Sequence, residues 1–113
     1  MSCNYIIKNI EIEDKLYNIL IGKNAKGNEE IIKLSNQNDI WFHIDNISSP
    51  HIILQNNGNI IPKRYLNFIA TMFQEYKNNL PKRYNIIYTE VKNVKLTSKL
   101  GTVNISNTNT IKI

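Results

Sequence analysis

The chain has 113 residues, with 14 Lys and Arg against 9 Asp and Glu, which gives a net charge of +5. This length fits one domain with its own core, and three Pro, four Gly and 42% hydrophobic residues exclude collagen-like and disordered classes. No apolar run approaches the ~18 residues of a membrane span, and the N-terminus lacks a signal-peptide layout. The single cysteine, Cys3, excludes an internal disulfide framework. We therefore expect one cytoplasmic domain over residues 1–113, with no membrane partner.

The first half of the chain is predicted to hold four strands and one short helix. The segment 28–35 is typical of a helix, with Asn28 as its N-cap and two glutamates in its first turn. The pair Asp14-Lys15 is a weak hairpin signal between two Ile-rich segments. The segment 56–59, which contains Asn and Gly, predicts a turn. The predicted strands are 4–12, 15–22, 39–45 and 51–55.

The second half is predicted to hold one long helix and three strands. Residues 62–77 show helical spacing of apolar residues, with Pro62 at the first helical position. Residues 84–95 predict a strand, and residues 101–113 predict a hairpin that turns near Asn107. The element order predicts an α+β fold, in which a mixed, largely antiparallel sheet carries one short and one long helix.

The charge is divided unevenly along the chain. Residues 1–60 contain 5 Lys and 7 acidic residues, a net −2, whereas residues 61–113 contain 9 basic and 2 acidic residues, a net +7. Basic residues interleaved with tyrosines are typical of surfaces that bind nucleic acid or another polyanion, although many charged segments are simply solvated. The phosphate contacts that we predict from this half are Lys63, Arg64, Lys82, Arg83, Lys92, Lys95 and Lys99.

The segment 39–45 carries an unusual polar face. The period of two in a strand places Asp39, Trp41, His43 and Asp45 on one side, and His51 of the next strand can lie opposite them. One interpretation is that Trp41 covers the core and that Asp39 and His43 form a hydrogen-bonded pair on the surface. Another is an aromatic platform that stacks a nucleotide base. A metal site built from the two histidines and an aspartate is a third, weaker interpretation, because the spacing matches no ligand signature.

A second candidate segment joins a predicted strand to a predicted helix. It is GKNAKGNE at 22–29, in which backbone amides, Lys23 and Lys26 would favour a phosphate oxygen. The segment lacks the signature of a P-loop, so it does not predict nucleotide triphosphate binding. An ordinary strand-to-helix turn remains the alternative.

These segments, in this order, resemble the NFACT-R domain family, the RNA-binding module of ribosome quality-control factors. The matching stretches are GKNAKGNEEI at 22–31, DIWFHIDNISSPHIIL at 39–54 and the segment 85–113. The resemblance implies a compact α+β domain that binds nucleic acid and, in larger relatives, helps engage tRNA on the ribosome. The family's recurrent positions are occupied here by Lys23, Asn24, Asn28, Asp39, Trp41, His43, His51, Lys95 and Gly101.

The sequence also departs from the family pattern. It shows no N-terminal NFACT domain, helix-hairpin-helix or coiled coil, and the usual Lys-Lys pair is reduced to Lys95-Leu96. We therefore expect the binding function to carry over, without peptide-tail synthesis. Ile and Asn make up 40 of the 113 residues, which indicates an AT-rich genome such as that of a giant virus or protist.

The leading hypothesis is a non-enzymatic domain that binds RNA rather than DNA, with tRNA or the ribosome as partner and no cofactor or metal. Phosphate contacts are expected from the basic half, and base contacts from the Asp39, Trp41 and His43 face in the acidic half. The first alternative is an adaptor that docks on a ribosomal or viral protein through a sheet edge. The second is a small hydrolase that uses Asp39, His43 and His51, for which the sequence offers no nucleophile or metal signature.

Overall fold

The fold is a six-stranded antiparallel sheet with helices on both sides, seen in a computed structural model that describes residues 3–113. The elements are β1 (Tyr5–Ile12), β2 (Lys15–Gly22), α1 (Ala25–Leu34), β3 (Ile40–Ile44), β4 (Ile52–Gln55), α2 (Lys63–Thr71), α3 (Phe73–Tyr76), β5 (Asn85–Glu90), β6 (Val94–Leu96), β7 (Val103–Ile105) and β8 (Asn109–Lys112). Strand order in the sheet is β1-β2-β4-β3-β5-β8, and β6 and β7 form a separate two-stranded sheet. The predicted α+β class is therefore confirmed.

The hairpin of β1 and β2 turns one residue earlier than its sequence signal suggests. Ile12 pairs with Lys15, so the loop consists of Glu13 and Asp14, which both have positive φ, at 49° and 67°. Two-residue loops of this kind match the twist of antiparallel strands. The turn predicted at 56–59 is confirmed, with Asn57 and Gly58 both at positive φ.

The sheet is buried on both faces. The helical face, which we define as the side covered by α2 and α3, packs Phe42 and Ile44 of β3 against Phe73 and its helical neighbours. The cleft face, on the other side, packs Trp41 against α1 and the β6–β7 hairpin. Alternate residues of β3 therefore enter two separate cores, as the period of two requires.

The helices differ from the prediction at their ends. Helix α1 begins at Ala25, because the Asn24 side chain accepts a hydrogen bond of 2.8 Å from the Gly27 amide. The predicted N-cap, Asn28, is instead a buried residue inside the helix. The predicted long helix is present as α2 and α3, which are separated by Met72. Within residues 3–113, no helix is long and apolar enough to cross a membrane.

The C-terminal segment is where the sequence prediction is wrong. The predicted strand 84–95 ends at Glu90, and a 3-10 turn over Val91–Asn93 leads into β6. The predicted hairpin 101–113 is absent, because β7 pairs with β6 and β8 pairs with β5. Asn107 does turn the chain at positive φ, but the turn joins two different sheets.

Candidate nucleic-acid interface

A cleft of about 500 Å³ opens beside the N-terminus of α1. Three lysines from distant parts of the sequence line it, and no Asp or Glu of the described residues does. We call it the basic cleft. Its lining residues are Lys23, Asn24, Ala25, Asn28, His43, Ser48, Ser49, Pro50, His51, Tyr76, Lys77, Lys99, Leu100, Gly101 and Thr102.

The first wall of the basic cleft is the start of α1. The Lys23 amide donates to the Asn4 carbonyl (2.9 Å), which fixes the chain just before the helix. The Asn24 side chain caps Gly27, and the Asn24 carbonyl accepts from the Asn28 amide. Among residues 3–113, no protein group accepts from the amides of Ala25 and Lys26. Free amides at the positive end of a helix favour an anion.

The floor of the basic cleft is a buried hydrogen-bond network around His51. The His51 amide donates to Asn28 Oδ1 (3.0 Å), and its carbonyl accepts from the Gly22 amide (3.0 Å). Its ring Nδ1 accepts from Trp41 Nε1 at 3.1 Å. A side chain at Gly22 would collide with Asn28 Oδ1, so the glycine permits this close approach. The network ties α1, β2, β3 and β4 together at one point.

The aromatic rings of the network are closely packed. The Trp41 and His43 rings are parallel, with centroids 5.6 Å apart, and both meet the His51 ring edge-on at 5.2 Å. Burial, with a smaller contribution from neighbouring His43, lowers the pKa of His51 to about 3. Burial also lowers the pKa of His43. Both imidazoles are therefore neutral at pH 7.

The opposite wall of the basic cleft is the loop between β6 and β7. Gly101 has φ 77°, and its amide donates to Glu29 Oε2 on α1 (3.1 Å). A Cβ at this glycine would lie 2.6 Å from the Ala25 Cβ, so the loop packs directly against the helix. This contact places Lys99 at the rim beside the α1 N-terminus.

The prediction that Trp41 forms a stacking platform is wrong. Its side chain is 1% exposed, because α1 and the β6–β7 hairpin cover the face that the alternation pattern assigned to it. Asp39 is also 1% exposed, and its carboxylate accepts from the amides of Asn36 (2.7 Å) and Asn56 (3.1 Å). The structure therefore gives both residues architectural contacts, in line with the core interpretation of Trp41.

The remaining sequence-predicted residues fall into two groups. The first group meets in the basic cleft, to which both charge halves contribute: Lys23, Asn24, Asn28, His43, His51 and Lys99. The predicted division of phosphate and base contacts between the two halves stays a prediction. The other predicted phosphate contacts lie outside the lining of the basic cleft. Arg64 pairs with Glu13 at 3.5 Å and Lys92 with Glu90 at 3.5 Å, and the remaining side chains in this group are exposed: Lys63, Lys82, Arg83 and Lys95.

Several cleft residues were not among those predicted. Lys77 follows α3, and Tyr76 before it has a buried hydroxyl without a hydrogen-bond partner in the described residues. Ser48 and Ser49 come from the β3–β4 loop. The basic composition of the second half pointed to Lys77, but no local signal placed it beside Lys23. The weaker metal hypothesis gains no support, since residues 3–113 contain no cluster of three potential metal ligands.

Comparison with known proteins was made at the level of family, sequence and fold. The family model described as NFACT protein RNA binding domain matches residues 5–107. Coiled-coil domain-containing protein 25 of Mus musculus is 35% identical over 98 residues, which cover 79% of this chain and 46% of that protein. Its counterpart in Danio rerio is 33% identical over 90 residues, covering 74% and 44%. The chain thus spans about half the length of these curated relatives.

The fold also has a solved counterpart. It superimposes with a TM-score of 0.78 on the C-terminal part of the fibronectin/fibrinogen-binding protein from Streptococcus suis, at 20% identity. The match covers 100% of this chain and 46% of that one. At this identity the likeness establishes a shared fold.

Proposed function

Because this chain belongs to the NFACT protein RNA binding domain family, we propose that it binds RNA, without catalysing a reaction, through the basic cleft. The observation that carries the proposal is the convergence of Lys23, Lys77 and Lys99 on one cleft. They come from the β2–α1 connection, the end of α3 and the β6–β7 loop, so only the folded chain brings them together. Lysines grouped in this way contact the phosphate backbone.

The lining of the basic cleft favours an anion over a cation or a neutral ligand. Its charged side chains are all lysines, and its imidazoles are neutral at pH 7. The nearby Glu29 carboxylate is occupied by the Gly101 amide and by Lys33, 3.7 Å away. The resulting positive potential is the usual footprint of a nucleic-acid surface.

The partner that we propose is tRNA or ribosomal RNA, bound during translation or ribosome-associated quality control. The support for this is the family resemblance of the segments 22–31, 39–54 and 85–113. The exposed residues Lys63, Lys82, Arg83 and Lys95 are proposed as further phosphate contacts outside the cleft.

Salt dependence of RNA binding tests the proposal. Fluorescence anisotropy with a labelled single-stranded RNA should give an affinity that falls steeply with salt, by a slope of about 0.7 per phosphate contact. Substitution of Lys23, Lys77 or Lys99 by Ala should each lower the slope by about that amount. A slope that none of the three substitutions changes would remove the cleft from the interface.

A matched control comes from the other end of the same hairpin. Lys15 is exposed and pairs with Ile12 at the turn, seven residues along β2 from Gly22, which is about 23 Å away. Lys15→Ala removes the same charge and should leave the salt slope unchanged. Pull-down with and without nuclease then distinguishes the adaptor alternative. A protein partner retained after nuclease treatment, without RNA affinity, would favour the adaptor.

A further inference from the structure

His51 lines the basic cleft and has one ring N–H without an acceptor among residues 3–113. Its side chain is 3% exposed, yet it contributes to the cleft lining. Because Nδ1 accepts from Trp41, the neutral ring carries its proton on Nε2. No protein group among the described residues accepts this proton. Asn28 and Gly22 hold the His51 backbone, and Trp41 Nε1 holds its ring, so the position of the ring is fixed.

A fixed donor of this kind is available to an acceptor that is not among residues 3–113. The cleft lining around His51 carries three positive charges, those of Lys23, Lys77 and Lys99, and it includes Ala25, whose amide has no acceptor among residues 3–113. An oxyanion with several acceptor oxygens matches this set, and phosphate is the biological group that does so most simply.

We propose that the basic cleft is a pocket for a single phosphate group of RNA, in which His51 Nε2 donates a hydrogen bond to a phosphate oxygen. This rests on the proposed function and deepens it, because it names the part of the RNA that enters the cleft. The volume of about 500 Å³ is sufficient for one nucleotide. Single-stranded RNA offers such a nucleotide as a terminal phosphate or as an internal phosphodiester.

The test is an NMR titration of the full chain labelled with ¹⁵N-histidine. The probes are inorganic phosphate, adenosine 5′-monophosphate, and two short single-stranded RNAs that differ only in a 5′-phosphate. The expected result is a shift of the His51 Nε2 resonance at saturation, with His43 following as a neighbour. A response to the phosphorylated RNA alone would identify a terminal phosphate, and equal responses would identify the internal diester. Both outcomes support the pocket.

Variants make the result specific. His51→Phe should weaken phosphate and RNA binding by about 10- to 100-fold, the loss expected for one hydrogen bond to a charged group. Lys77→Ala leaves the core intact and should weaken both by roughly three- to tenfold, which keeps the test valid if the His51 variant does not fold. Lys15→Ala should leave both affinities unchanged.

The two proposals can fail separately. If RNA binds in the anisotropy assay but none of the four probes moves the His51 resonance, the phosphate pocket is wrong and the RNA function stands. If inorganic phosphate moves the resonance and RNA does not bind, the cleft is a phosphate pocket, but the RNA function is wrong and RNA is not the source of the phosphate.

Discussion

The two faces of the central sheet use the same strands for different purposes. The helical face buries an apolar core in which Phe42, Ile44 and Phe73 are completely inaccessible to solvent. The cleft face buries a smaller apolar cluster around Trp41 and joins it to the polar network of His51 and Asn28. The larger core is built almost entirely from apolar side chains, whereas the smaller one accommodates polar groups because hydrogen bonds from Trp41 and Asn28 hold His51 in place.

The largest loss of stability is expected when a large buried side chain is removed from either face of the sheet. Trp41→Ala should lower the free energy of unfolding by about 3–5 kcal/mol, because it leaves a cavity and removes the donor to His51. Phe73→Ala, the matched control on the helical face, should cost a similar amount. Urea denaturation measures both. A Trp41 variant that keeps its stability but loses RNA affinity would restore the stacking hypothesis.

Acid should act mainly on the cleft face. The unfolded His51 ring gains a proton as the pH falls through about 6.5, whereas the folded ring, with a pKa of about 3, does not. The unfolded state therefore binds more protons, and the free energy of unfolding falls between pH 6.5 and 3, by about 2 kcal/mol at pH 5. Burial of His43 acts in the same direction. Thermal melts from pH 8 to 5 measure the slope, which His51→Phe should reduce.

A substitution in the β6–β7 loop should cause an intermediate loss of stability. Gly101→Ala places a Cβ against Ala25 at positive φ, and should cost about 2–3 kcal/mol while weakening RNA binding. Gly58→Ala is the matched control, since Gly58 also has positive φ but open space around it, and should cost about 1–2 kcal/mol. Equal losses of stability with unchanged RNA affinity would show that the loop does not shape the cleft.

The smallest effect is expected at the exposed surface beside the helical face. Glu13→Gln breaks the ion pair between Glu13 and Arg64, whose side chains are more than half exposed. The free energy of unfolding should change by less than about 0.5 kcal/mol, because solvent screens such pairs. A change above about 1.5 kcal/mol in denaturant unfolding would mean that this pair is coupled to the core.

Much of the fold could be predicted from local sequence. The alternation in 39–45 correctly placed Trp41 and His43 on one side of a strand, with His51 nearby. The N-cap was assigned four residues late, because Asn24 and Asn28 are equally good caps and only the Gly27 contact distinguishes them. The C-terminal pairing was wrong, because β6 and β7 pair across a loop of six residues that carries no hairpin signal.

The candidate site was only partly predictable. The sequence identified several individual site residues: Lys23, His43, His51 and Lys99. Their shared location was not predicted, because it depends on how the β6–β7 loop packs on α1. Lys77 was missed as a site residue, since its neighbours in the cleft are distant in sequence.

The sequence by itself determined the family, the α+β class and the chemistry of the available side chains. These follow from short-range patterns, whose physical basis is the geometry of a strand or a helix turn. Only the tertiary structure decided that Trp41 lies in a core and that lysines from both halves share one cleft. Those outcomes depend on which elements cover each face of the sheet. Burial depends on packing between residues that are distant in sequence, so a local sequence pattern does not determine it.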